Sequence, residues 1–248
     1  GIDHRNLHPE PEARLNPLDS TTATEIWLIR HGVTDWNRQR RFQGHRDIGL
    51  DDQGHEQARR LADRLAGAGL VAVHTSDLAR ARDTAAPVAE RLGVAAVTDA
   101  GLRERCYGDF EGRTYDEIET EFPEAYERWR ARDPGFVLPG GGESLREFAE
   151  RCAQAFERIA RRYPGRRVAA VSHGGVLDIA YRLATGLALE APRRHELLNA
   201  SINRIRFHEG RWSLIDWADV AHLDSVLDDA SVRRHGGPSG LPGRALQG

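Results

Sequence analysis

Two histidines in this sequence each stand between a short apolar run and a glycine. His31 follows the run 26–29 and Arg30, and His173 follows the run 168–171 and Ser172. Runs of this length, ended by a breaker, are typical of buried strands. The carboxyl ends of parallel strands share one sheet edge, where ligands bind. An imidazole there can attack phosphorus, and a neighbouring guanidinium can hold phosphoryl oxygens through its fork of donors. The alternative is that two unrelated strands both end in histidine.

The residues after His31 extend this pattern, with Thr34, Trp36, Asn37, the run Arg41-Phe42-Gln43-Gly44, Asp47 and Leu50. Together with Arg30-His31-Gly32 they resemble the histidine phosphatase superfamily, also called the phosphoglycerate mutase-like family. Its signature is Arg-His-Gly at the end of the first strand. The resemblance continues past residue 200, and the second histidine also has its family context, Ser172-His173-Gly174-Gly175.

The resemblance implies a role for further side chains. Arg80, four residues after Ser76, takes the position of the arginine that clamps the phosphate, although helical geometry alone does not separate it from Arg82. Glu104 takes the position of the proton donor, with Asp109 and Glu111 as rival carboxylates in the same loop. The resulting catalytic set is His31, Glu104, His173, Arg30 and Arg80. The phosphate-binding set is Arg30, Asn37, Arg80, His173 and Gly174.

The mechanism implied by the resemblance has two steps. His31 takes the phosphoryl group while Glu104 protonates the leaving alcohol, and water then hydrolyses the phosphohistidine. We expect a bell-shaped pH profile centred on the acidic side of neutral. The two histidines lack a third ligand at metal-binding spacing, so we expect neither a metal nor another cofactor. The substrate would be a small phosphorylated metabolite.

The insertion after Glu104 separates the branches of this superfamily. Mutases resemble one another there, with Glu-Arg-His-Tyr-Gly and further basic residues, whereas this chain has Glu-Arg-Cys-Tyr-Gly, an acid-rich stretch at 114–129 and the run 139–144. That resembles the phosphatase branch, which includes broad-specificity and α-ribazole phosphatase-like members. We expect the acidic cover to disfavour a ligand with two phosphates. The alternatives are a cofactor-dependent phosphoglycerate mutase and a non-catalytic phosphate-binding scaffold protein.

Composition limits the function classes. The formal charge of -3 argues against attraction to nucleic acid or membranes, and the arginine clusters at 161–167 and 193–194 are interpreted as solvated faces. All 35 basic residues are arginines, which excludes a Schiff-base or P-loop lysine. Two cysteines are too few for a disulfide framework, and no apolar run approaches the roughly 20 residues that span a bilayer. These features predict a cytoplasmic protein and leave a homodimer open.

The periodicity predicts an α/β fold, a three-layer sandwich around a largely parallel, doubly wound sheet. We expect a flexible arm at 1–24, a single domain at 25–227 with a lid insertion at about 105–142, and a disordered tail at 228–248. Strands are predicted at 26–29, 70–73, 94–97 and 168–171, with a hairpin of 202–208 and 211–217. Helices are predicted at 54–68, from Ser76 or Asp77 as N-cap to about 92, and at 114–131, 143–163 and 175–186.

Overall fold

The structure, a computed structural model, describes residues 22–225. The predicted tail and nearly all of the predicted arm lie outside these residues. Strands β1 to β4 cover Thr24–Arg30, Leu70–Thr75, Ala96–Thr98 and Arg167–Ser172, and the hairpin strands β5 and β6 cover Ile202–His208 and Arg211–Asp219. Within the described residues they form a six-stranded sheet in the order β3-β2-β4-β1-β5-β6.

The pairing confirms the predicted sheet type. Strand β4 lies between β1 and β2 and is parallel to both, and β3 is parallel to β2. The hairpin adds β5 antiparallel to β1, so the sheet is largely rather than wholly parallel. Each parallel crossover carries at least one helix, as crossovers of this kind require.

Alternation of side chains sends successive strand residues to opposite faces of the sheet. Ile26 and Leu28 of β1 pack on the face covered by helices α6 (Leu145–Arg162) and α7 (Gly174–Thr185). Ile29 packs on the opposite face, covered by α2 (Asp52–Leu65) and α3 (Ala79–Leu92). The result is the expected three-layer α/β sandwich.

Several predicted boundaries differ from the structure by one to three residues, and two of these differences have clear local reasons. The third strand begins at Ala96, not at residue 94, because Gly93 adopts φ 69° and the Val94 N–H still donates to the Ala89 carbonyl, which closes α3. The N-cap of α3 is Leu78 rather than Ser76 or Asp77. The Asp77 carboxylate instead binds the Arg103 guanidinium through two hydrogen bonds of 2.7 and 2.8 Å.

The insertion folds as a separate aromatic layer over the sheet edge. The helix predicted at 114–131 is two helices, α4 (Tyr115–Glu121) and α5 (Pro123–Arg130), because a proline starts a helix more readily than it continues one. Its core contains Phe42, Phe110, Ile118, Tyr126 and Leu138. Phe42 belongs to the loop after β1, which also contains the short helix α1 (Asp35–Gln39). The insertion and this loop therefore pack together around one cleft.

Candidate active site

The sheet register brings the two histidines together. Arg30 and Ser172 are paired at the carboxyl ends of β1 and β4, and the His31 N–H donates to the Ser172 carbonyl at 3.0 Å. His31 and His173 follow directly, with ring centroids 5.2 Å apart and an interplanar angle of 60°. Both side chains are buried. Sequence positions 142 residues apart thus share one sheet edge.

His31 is held as a neutral imidazole in one tautomer. Its Nδ1 lies 2.7 Å from the Gly32 carbonyl oxygen, which can only accept, so Nδ1 carries the proton and Nε2 carries the lone pair. Burial lowers its pKa well below 6.5, and the charges of Arg80 and Arg30 lower it further. At neutral pH the ring therefore presents an unprotonated Nε2.

Buried hydrogen bonds fix the backbone that carries His31. The Gly32 N–H donates to Thr84 Oγ1 at 3.0 Å, and the Asn199 side-chain amide donates to the His31 carbonyl at 3.1 Å. A Cβ on Gly32 would lie 2.6 Å from the Gly54 carbonyl oxygen, so any larger residue would push the loop away from α2. The nucleophile candidate is thus rigidly placed before any ligand arrives.

His173 has one partnered and one unpartnered ring nitrogen. Its Nε2 lies 2.8 Å from Ser76 Oγ, and its buried Nδ1 has no hydrogen-bond partner within residues 22–225. Burial lowers its pKa well below 6.5, with further lowering by Arg80 and His31. His173 is fully buried beside His31 rather than exposed on the cleft wall. Ser76, considered from the sequence only as a helix cap, is thus a partner of this histidine.

Arg80, and not Arg82, lies in the cleft. Its side chain is 1% exposed and donates to the carbonyls of Arg46 and Gly44 at 2.6 and 2.7 Å, whereas Arg82 is exposed. Burial lowers the Arg80 pKa to about 10, against the raising effect of Glu104 and Asp47, so the group stays charged at neutral pH. Asp47 also accepts from the Ala79 N–H at 2.7 Å. The first amide of α3 is therefore already bound to a carboxylate of the protein and is not free for the anion of a ligand.

Glu104 is a carboxylate on the wall of the cleft that also contains His31. Its two oxygens accept from the backbone N–H groups of Arg105 and Gly175 at 2.8 and 3.0 Å. A Cβ on Gly175 would lie 2.2 Å from this carboxylate, so the glycine permits the contact. Of the rival carboxylates, Asp109 is exposed and Glu111 accepts from the His45 N–H at 2.5 Å.

The remaining predicted residues also line the cleft. The Arg30 guanidinium donates to the Leu197 carbonyl and packs 3.3 Å from where a Gly174 Cβ would stand. Asn37 accepts from the Thr34 N–H at 3.0 Å in a capping box that closes the first turn of α1. The cleft thus gathers six of the seven predicted residues on its wall, namely Arg30, His31, Asn37, Arg80, Glu104 and Gly174.

The prediction that acidic side chains of the insertion cover the cleft is wrong. The insertion contributes Arg105, Arg130 and Arg132 to the cleft, together with aromatic side chains, while the carboxylates of α4 and α5 do not line it. The reason is that these helices turn their aromatic residues inward and their glutamates to solvent. Arg193 also lines the cleft, so it is not part of a solvated face as the sequence suggested.

These observations define a class of protein: a doubly wound α/β protein with paired histidines, buried arginines and a carboxylate at the carboxyl edge of its sheet. A sequence model of the histidine phosphatase superfamily (branch 1) matches residues 26–220. The chain belongs to this superfamily.

The chain is similar to proteins with mutase-like and with phosphatase names. The chain is 39% identical to "Phosphoglycerate mutase-like protein 4" of Arabidopsis thaliana, over 87% of this chain and 93% of that one. It is 40% identical to a "Metal-independent phosphoserine phosphatase" of the same plant, over 82% and 85% of the two chains. A solved mycobacterial glucosyl-3-phosphoglycerate phosphatase with VO3 superposes with a TM-score of 0.68 at 33% identity, covering 78% of this chain and 98% of that one.

Residues 22–225 contain no group of three or more His, Cys, Asp or Glu side chains placed to hold a metal ion. Within the same range, no helix has the length and apolarity needed to cross a bilayer.

Proposed function

We propose that this protein hydrolyses phosphate monoesters of small metabolites through a phosphohistidine on His31, without a metal. The observation that carries the proposal is the unprotonated Nε2 of His31, buried beside the charged Arg30 and Arg80. A nucleophile needs a free lone pair, and the transferring phosphoryl group needs positive charge around its oxygens. The names of the phosphoserine and glucosyl-3-phosphoglycerate phosphatases support this assignment.

In the first step, the lone pair of His31 Nε2 attacks phosphorus and the ester P–O bond breaks. The departing alkoxide takes a proton from the carboxyl group of Glu104. Arg30, Arg80 and Asn37 hold the phosphoryl oxygens, and the Nδ1 of His173, which has no partner within residues 22–225, donates to one of them.

In the second step, Glu104 accepts a proton from water while the water oxygen attacks phosphorus. The N–P bond then breaks, its electron pair returns to Nε2, and inorganic phosphate leaves. Glu104 thereby regains the proton that it needs for the next cycle, as microscopic reversibility requires.

A phosphoglycerate mutase is the second candidate. The arginines Arg105, Arg132 and Arg193 give the cleft more positive charge than one phosphate needs, and one relative bears a mutase-like name. In that reaction His31 would return its phosphoryl group to a bound organic ligand instead of to water.

A phosphorus NMR time course separates these functions. One tube holds 3-phosphoglycerate, a trace of 2,3-bisphosphoglycerate, p-nitrophenyl phosphate and EDTA at mildly acidic pH, and a second tube holds the same mixture with the His31→Ala protein. We expect inorganic phosphate to appear with the wild type only. Growth of 2-phosphoglycerate without phosphate would establish the mutase, and an unchanged wild-type spectrum would favour a non-catalytic phosphate-binding protein.

A further inference from the structure

A second group of charged residues adjoins the same cleft, away from His31 and His173, and three of its members line it. It is centred on Asp178, which is 5% exposed and lies on α7, four residues after Gly174. Four helical residues span about 6 Å, so this group lies on the order of 6 Å along α7 from the phosphate end of the cleft. We call this group, Asp178, Arg132, Arg182, Arg193 and His195, the Asp178 cluster.

Both oxygens of Asp178 are fully engaged inside this cluster. Arg182 Nε donates to them at 3.1 and 3.0 Å, and Arg132 Nη2 donates to Oδ2 at 2.8 Å. The Nε2 of His195 lies 2.8 Å from Oδ1, and burial lowers the pKa of this histidine, so it binds as a neutral donor. These cations and the hydrogen bond from His195 hold the pKa of Asp178 well below its usual range despite its burial.

Arg193 is the arginine of the cluster that makes none of these hydrogen bonds to Asp178. It lies in the segment between α7 and β5, is half-buried, and lines the cleft. Its Nε is buried and finds no hydrogen-bond partner anywhere in residues 22–225. A buried donor without an acceptor costs free energy, and this cost is recovered when a ligand supplies the acceptor.

The charges of the Asp178 cluster do not balance. Three guanidinium groups share the single carboxylate of Asp178, and the exposed Glu190 is the further acid that reaches this part of the cleft wall. Arg105 adds a fourth cation nearby, but it donates to the Glu143 carbonyl and has Glu104 and Glu143 around it. With Glu190 counted, the group carries one net positive charge, and Arg132 and Arg193 are its two cations on the cleft wall.

Arg132 ties the cluster to the lid. It follows α5 with φ 56° and donates to the Leu189 carbonyl at 2.6 Å as well as to Asp178. Asp178 is thus a positioning residue, because it holds this lid arginine against α7. Arg132 of the lid turn and Arg193 of the segment after α7 both line the cleft.

We propose that Arg193, assisted by Arg132, binds a carboxylate on the leaving group of the substrate. The inference rests on the proposed function, since it places the phosphate at His31 and the second anion at Arg193. It narrows the substrate class to phosphate monoesters whose alcohol portion carries a carboxylate a few bonds from the ester oxygen.

O-phosphoserine and O-phosphoethanolamine test this assignment, because they differ only in the carboxylate. We would measure kcat/KM for both with the wild type, with Arg193→Gln and with Arg194→Gln. Arg194 is the matched control, an exposed neighbour that does not line the cleft. We expect the wild type and Arg194→Gln to prefer phosphoserine by about tenfold or more. Arg193→Gln should lower this ratio by about tenfold to a hundredfold, the range for a charge-assisted hydrogen bond.

A wild-type ratio near one, an unchanged ratio in Arg193→Gln, or an equal loss in Arg194→Gln would overturn the assignment. A second pair of substrates distinguishes the two sources of a second anion: propane-1,3-diol bisphosphate against its monophosphate. An Arg193-dependent preference found with the bisphosphate alone would mean that the site takes a phosphate, and the carboxylate assignment would be wrong.

Calorimetric binding to the His31→Ala protein separates this inference from the proposed function. If the wild type hydrolyses neither ester but phosphoserine binds more tightly than phosphoethanolamine in an Arg193-dependent way, the carboxylate site stands and the proposed function fails. If both esters are hydrolysed with equal efficiency, the function stands and the carboxylate site fails.

Discussion

Ser76 Oγ lies 2.8 Å from Nε2 of His173, and this contact decides which nitrogen of the second histidine can face a phosphate. The Leu78 N–H donates to the same hydroxyl oxygen at 3.3 Å, which leaves the hydroxyl proton free to be donated to Nε2. The His173 proton then stays on Nδ1, the buried nitrogen without a partner in the described chain. The other tautomer would turn a lone pair towards the phosphoryl oxygens.

Replacing Ser76 with alanine should therefore lower kcat by about tenfold to a hundredfold, because His173 loses the hydroxyl that selects its donor tautomer. The tautomer is measured directly by nitrogen-15 NMR of the histidine rings in the presence of inorganic phosphate. We expect Nδ1 protonation in the wild type and a mixture of tautomers in Ser76→Ala.

The control for this experiment is Ser76→Thr, which retains the hydroxyl group. If its kcat falls as far as that of Ser76→Ala while its tautomer stays that of the wild type, packing at this fully buried position explains the loss and the tautomer argument fails.

The pH dependence of kcat/KM should show an acid limb below pH 6.5. The rate needs neutral His31, and burial, aided by Arg80 and Arg30, holds the pKa of this histidine well below 6.5. Activity is thus fully present above that lowered pKa and falls as the pH drops through it. A pH–rate profile with p-nitrophenyl phosphate measures the limb, and an acid limb above pH 6.5 would contradict the assignment of His31.

The same shift makes His31 a source of acid sensitivity in folding. In the unfolded chain His31 binds a proton near pH 6.5, whereas in the folded chain it binds this proton only at a lower pH. The stabilisation is therefore complete above pH 6.5 and is lost as the pH falls towards the folded pKa. His31→Gln should unfold at a midpoint that depends less on pH between 7 and 5 than that of the wild type, as followed by circular dichroism in a buffer series.

Arg80 and Arg82 form a matched pair for testing the phosphate clamp. Arg80→Gln should lower kcat/KM by about a hundredfold or more, since it removes a preorganised cation from the phosphoryl group. Arg82→Gln, at an exposed position two residues further along α3, should stay within about twofold of the wild type. Equal losses of kcat/KM in the two variants would show that Arg80 is not the phosphate clamp.

Folding must be checked in this pair because Arg80 also holds the loop after β1 through the Gly44 and Arg46 carbonyls. Binding of vanadate, measured by calorimetry, supplies a readout other than rate. Arg80→Gln should bind it weakly even when its thermal midpoint stays close to that of Arg82→Gln.

The sequence predicts the sheet and the histidine pair well, because buried strands and their breakers are local signals. It does not separate Arg80 from Arg82, since that choice depends on where α3 begins, and the structure places this start at Ala79. The acid-rich composition of 114–129 likewise gives the total charge but not the face on which each charge lies. The sequence analysis missed Arg193 for the same reason. Two adjacent arginines are typical of a solvated surface, and only the fold shows that one of them lines a cleft.

Asp178 shows a stronger limit of sequence analysis. It stands in a largely apolar helix that also contains Arg182, and its partners come from the lid, from its own helix and from the segment before β5. No spacing rule connects these three segments. The i, i+4 spacing of Asp178 and Arg182 could have indicated an ion pair on α7, but that signal identifies neither Arg132 nor His195.

The last prediction concerns the proton that Glu104 gives to the leaving group. Glu104→Gln retains the size of the side chain but cannot transfer a proton. The loss of rate should therefore be larger for a more basic leaving group, which must be protonated as it departs. Hydrolysis of an alkyl ester such as O-phosphoserine should fall by about a hundredfold or more. Hydrolysis of p-nitrophenyl phosphate, whose phenolate departs without a proton, should fall much less in a single-turnover experiment that isolates the first step. Equal losses for the two esters would mean that Glu104 orders the cleft through Gly175 and Arg105 instead of acting as the acid.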